Sequence, residues 1–210
     1  MTEQAASERN IHEQLIAIAC DISTALTASI EKNGPIELNP AQDSPFAEHL
    51  CRAVTGQQLS VKAAASIWKR VTGSVPEDMA LINHILSVEP DVLRGCGLSR
   101  AKVKTVVAIA QSASQGELNS AELAALTHPE RTKRLTALWG IGQWTADMMS
   151  IFYFGDPDIW PEGDLAARKT LEQLTSKRRK TLRTAARFAP YRSYLALHMW
   201  QHVDAAPNKS

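Results

Sequence analysis

Four side-chain groupings in this chain have types and spacing suited to chemistry. The first is the run Leu135-Thr136-Ala137-Leu138-Trp139-Gly140-Ile141-Gly142-Gln143-Trp144-Thr145-Ala146. Gly-hydrophobic-Gly between two helical stretches makes a tight hairpin, because glycine permits positive φ and close backbone approach. The second helix then starts with N–H groups that have no partner of their own. Together with the helix dipole they suit a phosphate oxygen, so Gly140, Gly142, Gln143 and Thr145 are candidate phosphate contacts. A plain helix–helix turn uses the same pattern. The second grouping is Asp164, 22 residues beyond Gly142, in Trp160-Pro161-Glu162-Gly163-Asp164. It stands where a helix should begin. An aspartate there is an N-cap or a catalyst, and the roles coexist, since a capping carboxylate is held rigidly and stays ionised. The third is the pair Trp144 and Trp200, with Met148 one turn beyond Trp144. These are core residues or the walls of a flat apolar pocket. The fourth is a basic segment. Residues 165–192 carry nine Lys or Arg against Glu172 alone, whereas residues 1–50 carry two against eight acidic residues. Such a segment is either a solvated helical face or a surface for a polyanion, nucleic acid being the usual one.

The frame that must hold these groups is helical throughout. Apolar residues recur at helical spacing over 11–30, and Asn33-Gly34-Pro35 stops that helix. Pro45 opens the next, Ser60 caps one, Pro76 opens one ending near Val88, and Ser99 caps a helix over 100–114. Helices follow near 129–138, 143–154, from Asp164 onward, over 176–187 and over 190–203. No alternating strand pattern of useful length occurs. The chain has 210 residues and a net charge of +1, with composition ordinary for a globular protein. No apolar run reaches the ~18 residues of a membrane span, and the N-terminus lacks a signal-peptide pattern. Cys20, Cys51 and Cys96 are too scattered for a zinc or four-cysteine cluster. An intracellular protein, cytoplasmic at the nucleoid or nuclear, is expected.

With residues 46–64 and 191–200 added, the chain resembles the 3-methyladenine DNA glycosylases of type II, in the helix-hairpin-helix DNA glycosylase superfamily. The resemblance runs from about Phe46 to His202, in the compact form without an extra N-terminal domain. It implies that Asp164 is the catalytic aspartate. It implies that Trp144 and Trp200 line a base pocket, with Met148 where a larger bacterial member has tyrosine. Gln58 matches a wedge that fills the stack vacated by an extruded base, and Ser60 a minor-groove contact. The backbone carbonyls of Thr136, Leu138 and Ile141 match a monovalent cation site, for Na+ or K+; no cofactor is otherwise required. Bifunctional relatives carry a lysine two residues after the last hairpin glycine. Trp144 stands there in this chain.

The implied chemistry is that of a monofunctional glycosylase acting on alkylated purines such as 3-methyladenine and 7-methylguanine in double-stranded DNA. The base is flipped out, and Asp164 assists hydrolysis of the N-glycosidic bond, leaving an abasic site. The implied architecture is all-α: one glycosylase unit over 1–210, a two-lobed helical bundle with a DNA-binding cleft. One lobe spans about 45–155 and holds the hairpin 135–146; the other combines 1–44 with 156–210. A monomer is expected. Two alternatives differ in kind. A non-catalytic hairpin module for damaged DNA leaves Asp164 and the indoles unexplained. A glycosylase for other damaged or mismatched bases fits poorly with the missing lysine and the tryptophan pair.

Overall fold

The computed structural model describes residues 3–42 and 44–205. Thirteen helices and no strand occur among them. In chain order they are α1 (Glu3–Cys20), α2 (Thr24–Asn33), α3 (Phe46–Gly56), α4 (Val61–Gly73), α5 (Leu81–Ser87), α6 (Pro90–Gly95) and α7 (Arg100–Ser114). There follow α8 (Ser120–Ala125), α9 (His128–Thr136), α10 (Gln143–Phe152), α11 (Leu165–Leu174), α12 (Thr181–Ala186) and α13 (Arg192–Asp204). None is long and apolar enough to cross a membrane.

Several boundaries follow directly from side-chain caps. Ser60, Ser99 and Asp164 each accept a hydrogen bond from the backbone N–H three residues on, opening α4, α7 and α11. Other boundaries depart from the sequence reading. The helix expected over 11–30 is two helices. Ser23 breaks it, accepting from the Leu26 N–H and donating through Oγ to the Leu174 carbonyl at 2.6 Å. A local cap and a long-range bond together override a continuous apolar period. Pro76 lies in a turn, and the helix after it starts only at Leu81. Pro45 is the N-cap of α3 and not its first residue. The short helices α6 and α8 carry too few residues for a period to be read.

The chain forms two compact units. The terminal unit combines residues 1–40 and 150–210. Its core joins Leu15, Leu26, Ile30, Trp160, Leu171, Phe188, Leu195 and Met199, and α11 packs chiefly on α13. The central unit spans residues 41–149. There α7 packs against α3 and α5, and Leu50, Val54, Ile85, Val106 and Ile109 are all at most 2% exposed. At ~1.5–3 kcal/mol for each large apolar side chain buried, this packing and not helix propensity holds the short helices in place.

Candidate functional site

In the terminal unit, Asp164 caps α11. Its Oδ1 accepts from the Ala167 N–H at 2.8 Å and from the Trp200 indole N–H at 2.9 Å. Trp200 comes from α13 and lies against Phe152, ring centroids 5.6 Å apart. The loop leading to Asp164 is anchored on the first turn of α13, the helix that carries Trp200. Ser193, fully buried, donates to the Asp156 carbonyl at 2.6 Å and accepts from the Ile159 N–H at 2.9 Å. Arg192 grips Asp158 through two bonds, 2.6 and 2.9 Å, which raise its pKa further. Glu162 accepts from the Trp160 indole at 2.6 Å and the Thr181 hydroxyl at 2.8 Å. Carboxylate and indole are thus fixed by one framework. The helix N-terminus and two N–H donors hold the carboxylate in one orientation.

In the central unit, α9 and α10 are joined by a tight turn. The Ile141 N–H bonds back to the Leu138 carbonyl at 3.1 Å, and Ile141 is buried as the plug of the turn. The two glycines differ. Gly140 has φ +83°, and a Cβ there would overlap the Thr105 side chain. Gly142 has no positive φ, and a Cβ there would meet nothing within 4 Å. The first needs glycine for its conformation, whereas the second leaves open space beside the exposed start of α10. Thr145 departs from expectation. It is only 2% exposed, and its hydroxyl accepts from the Gln57 side chain at 3.0 Å. It braces the turn after α3 and does not face outward. Gln143 is exposed, and its side chain donates to Asp147 at 2.7 Å.

That braced turn carries Gln58, which is exposed and has φ +59°. A left-handed conformation costs a residue with a side chain roughly 1–2 kcal/mol, so something must hold it. Lys102 does, donating from Nζ to the Thr55 and Gln57 carbonyls at 2.8 Å each. Desolvation lowers the pKa of this lysine. Ser60 follows as the exposed N-cap of α4.

A family model described as HhH-GPD superfamily base excision DNA repair protein matches residues 51–189. The chain belongs to that superfamily. It is 32% identical to DNA-3-methyladenine glycosylase 1 of Schizosaccharomyces pombe over 165 residues, covering 73% of this chain and 71% of the relative. The solved S. pombe 3-methyladenine DNA glycosylase in complex with abasic DNA superposes with a TM-score of 0.80 at 26% identity. That match covers 92% of this chain and 98% of the other. A DNA-3-methyladenine glycosidase from Bacillus halodurans gives 0.78 at 26% identity, covering 92% and 89%.

Within this HhH-GPD chain, Trp144 and Met148 line a cavity of about 530 Å³ in the central unit, together with Trp68, His49, Arg52 and Gly56. Trp144 is 37% exposed and Met148 is 8% exposed. Trp68, which no motif in the sequence marked, shares this cavity with Trp144. Lys102, Ser193 and the Arg192–Asp158 pair were likewise unmarked in the sequence. Lys102 lies three residues from a Ser cap, and no periodicity marks it. Its role depends on carbonyls about 45 residues away in the chain.

Proposed function

We propose that this chain is a monofunctional DNA glycosylase that removes alkylated purines from duplex DNA by hydrolysis, leaving an abasic site. The observation that carries the reading is the Asp164 carboxylate, held by the Trp200 indole and the Ala167 amide. A flipped nucleotide presents C1′ with its base leaving, and positive charge develops on the sugar. A fixed carboxylate stabilises that charge and orients a water for attack. Alkylation at N3 or N7 already makes the purine cationic and a good leaving group, so a single carboxylate suffices. Indole faces attract such a cation, which gives Trp144, exposed on the cavity of the central unit, a part in selectivity.

The remaining residues fit roles in holding the duplex. The open start of α10, at Gly142 and Gln143, offers backbone N–H groups to a phosphate. Gln58 stands on a pre-formed left-handed turn, a suitable wedge for the vacated stack. Ser60 adds a hydroxyl on the same turn. The S. pombe and Bacillus halodurans matches carry 3-methyladenine in their names, and the S. pombe structure is bound to abasic DNA, which supports the same lesion class here. A monovalent cation at the hairpin would be held by the Thr136, Leu138 and Ile141 carbonyls. They are neutral hard donors, and the Leu138 oxygen has a lone pair beyond the one taken by Ile141. Bound there, Na+ or K+ would offset phosphate charge at the hairpin. One chain carries every residue this reading needs, so a monomer suffices for the reaction.

The test is to incubate the protein with duplex DNA methylated by an alkylating agent and to identify the released bases by chromatography. Release of 3-methyladenine or 7-methylguanine is expected, with the strand intact until alkali cleaves the abasic site. No release at any enzyme concentration refutes the activity. Strand cleavage without alkali refutes the monofunctional assignment.

A further inference from the structure

In the terminal unit, Thr181 bonds to Glu162 in the loop before Asp164, which sets the start of the basic α12 beside the site already described. In the central unit one cation has no role so far. Lys104, on α7, rests its ammonium 4.1 Å from the centroid of the Trp139 ring. Trp139 stands directly before Gly140 in the hairpin and is 46% exposed, so it is not a core residue. The pair lies where α7 meets the hairpin. Thr105, the next residue of α7, occupies the space that a Cβ at Gly140 would take. Lys102, two residues before Lys104, bonds to carbonyls in the turn that carries Gln58. One short stretch of α7 therefore borders both central-unit segments assigned to the duplex.

The charge of this stretch is not balanced locally. α7 opens with Arg100, Lys102 and Lys104 and contains no acidic residue. Cations in the first turns of a helix oppose its dipole. Lys102 is taken up by its two carbonyls. Arg100 and Lys104 are exposed, one turn apart and mutually repelling. Among the described residues, no carboxylate pairs with either. A cation on an exposed indole face is held weakly, so the contact adds little to the fold. Its effect is to place the ammonium. The ring covers one side of the group and leaves N–H donors on the other side free. An unpaired ammonium is a compact donor for an anionic oxygen. The neighbouring groups select phosphate as that anion, because the open amides at the start of α10 begin three residues beyond Trp139 and suit a phosphate oxygen.

We propose that Lys104 is a further DNA-backbone contact, held at the mouth of the hairpin by Trp139, and that it binds a phosphate next to the one at the start of α10. This rests on the reading of the hairpin as a duplex contact. Lys104 touches the strand, whereas Trp139 is a positioning residue that acts through Lys104. A phosphate contact reads neither sequence nor lesion, so the ammonium tightens damaged and undamaged duplex alike. It secures the strand at the hairpin whichever base is presented for extrusion.

The experiment titrates the full chain into two dye-labelled duplexes, one with a stable abasic analogue and one undamaged, and follows anisotropy over a range of salt concentrations. Both side chains are exposed, so Lys104→Gln and Trp139→Leu should melt close to the wild type. Lys104→Gln should lose roughly fivefold in affinity for both duplexes. The slope of its log affinity against log salt should fall by about 1, as for one lost phosphate contact. Lys104→Arg keeps a cation that can lie on the ring and should keep the wild-type slope. Trp139→Leu should lose about twofold, and the double variant should be no weaker than Lys104→Gln alone. The proposal is overturned by an unchanged slope in Lys104→Gln, or by a loss confined to the abasic duplex. It is also overturned if the two losses add in full, because Trp139 then acts without Lys104. Affinity is scored apart from base release. A wild type that binds both duplexes and releases no base contradicts the proposed activity and not this contact. Unchanged binding by Lys104→Gln beside normal release by the wild type contradicts this contact alone.

Discussion

Replacing Asp164 by asparagine separates charge from geometry. Asp164 Oδ1 accepts from the Ala167 N–H and the Trp200 indole, and an asparagine oxygen can accept both. The helix cap and the indole position survive, while the negative charge is lost. For a unit charge about 4 Å from a developing cation, Coulomb's law gives ~1 kcal/mol in water and ~4 kcal/mol at an effective dielectric constant of 20. Asp164 is partly buried, which places it toward the upper figure. Each 1.4 kcal/mol is tenfold in rate, so a loss of ~10²–10³-fold is expected. Asp164→Ala loses the charge and also the cap, worth ~1 kcal/mol, and leaves the indole N–H without that acceptor. It should be the less stable of the two variants. The assays are single-turnover release of 7-methylguanine, thermal melting, and affinity for a duplex with a stable abasic analogue. The Asp164→Asn protein should melt near the wild type and still bind the analogue, yet release base at least a hundredfold more slowly. Release within tenfold of wild type, or an asparagine variant less stable than the alanine one, would refute the argument.

Lys102→Met keeps the aliphatic stem but removes two charge-assisted bonds to carbonyls; stability should fall by ~1–3 kcal/mol in denaturant titration. Excision should fall most where the lesion is fully paired, and a similar loss opposite an unpaired position would show that Lys102 does not act through the Gln58 turn. Gly140→Ala should destabilise the fold by ~1–3 kcal/mol, since φ is +83° and Thr105 occupies the space. Gly142→Val should instead melt close to wild type and bind damaged and undamaged duplex equally weakly, as measured by anisotropy; a loss confined to damaged DNA would contradict a backbone contact. His198, whose Nδ1 lies 3.2 Å from the Asn33 amide, has its pKa pushed down to about 3 by burial and by the His12 ring stacked on it. Its folded pKa lies below the unfolded value near 6.5, so its contribution is present above pH 6.5 and lost as pH falls toward 3. Stability should drop by ~1.4 kcal/mol per pH unit for this proton below about pH 6, and His198→Gln should flatten that slope in acid titrations followed by circular dichroism.

What could be read before folding was local. Ser60, Ser99 and Asp164 cap helices because each needs only a backbone N–H three residues on. The Gly140-Ile141-Gly142 turn is equally self-contained, and the Asp164 cap contains most of what a catalytic carboxylate needs. What escaped was held at long range. Ser23 splits one apolar run into two helices by reaching Leu174, 151 residues away. Ser193 and Arg192 anchor the loop before Asp164 from some 35 positions downstream of their partners. Thr145 looked like an outward residue at a helix start, yet its hydroxyl was claimed by Gln57 across the fold.

The same division separates what the site does from how it is aimed. The chemical groups are few and recognisable by type: one carboxylate, indoles, a run of open amides. Their aim depends on residues with no chemical signature of their own. Ser193 touches no candidate substrate group, yet it joins the loop of Asp164 to the helix of Trp200. Lys102 carries a charge that would pass for a solvated one, yet it spends it on the carbonyls beside Gln58. Those bonds, with the Gln57–Thr145 brace, offset the backbone cost of a left-handed Gln58. Retaining Asp164, Trp144 and Gln58 is therefore insufficient for the geometry described here. The bracing serine and lysine are needed as well, and for this fold they are the residues that convert a recognisable set of side chains into a positioned one.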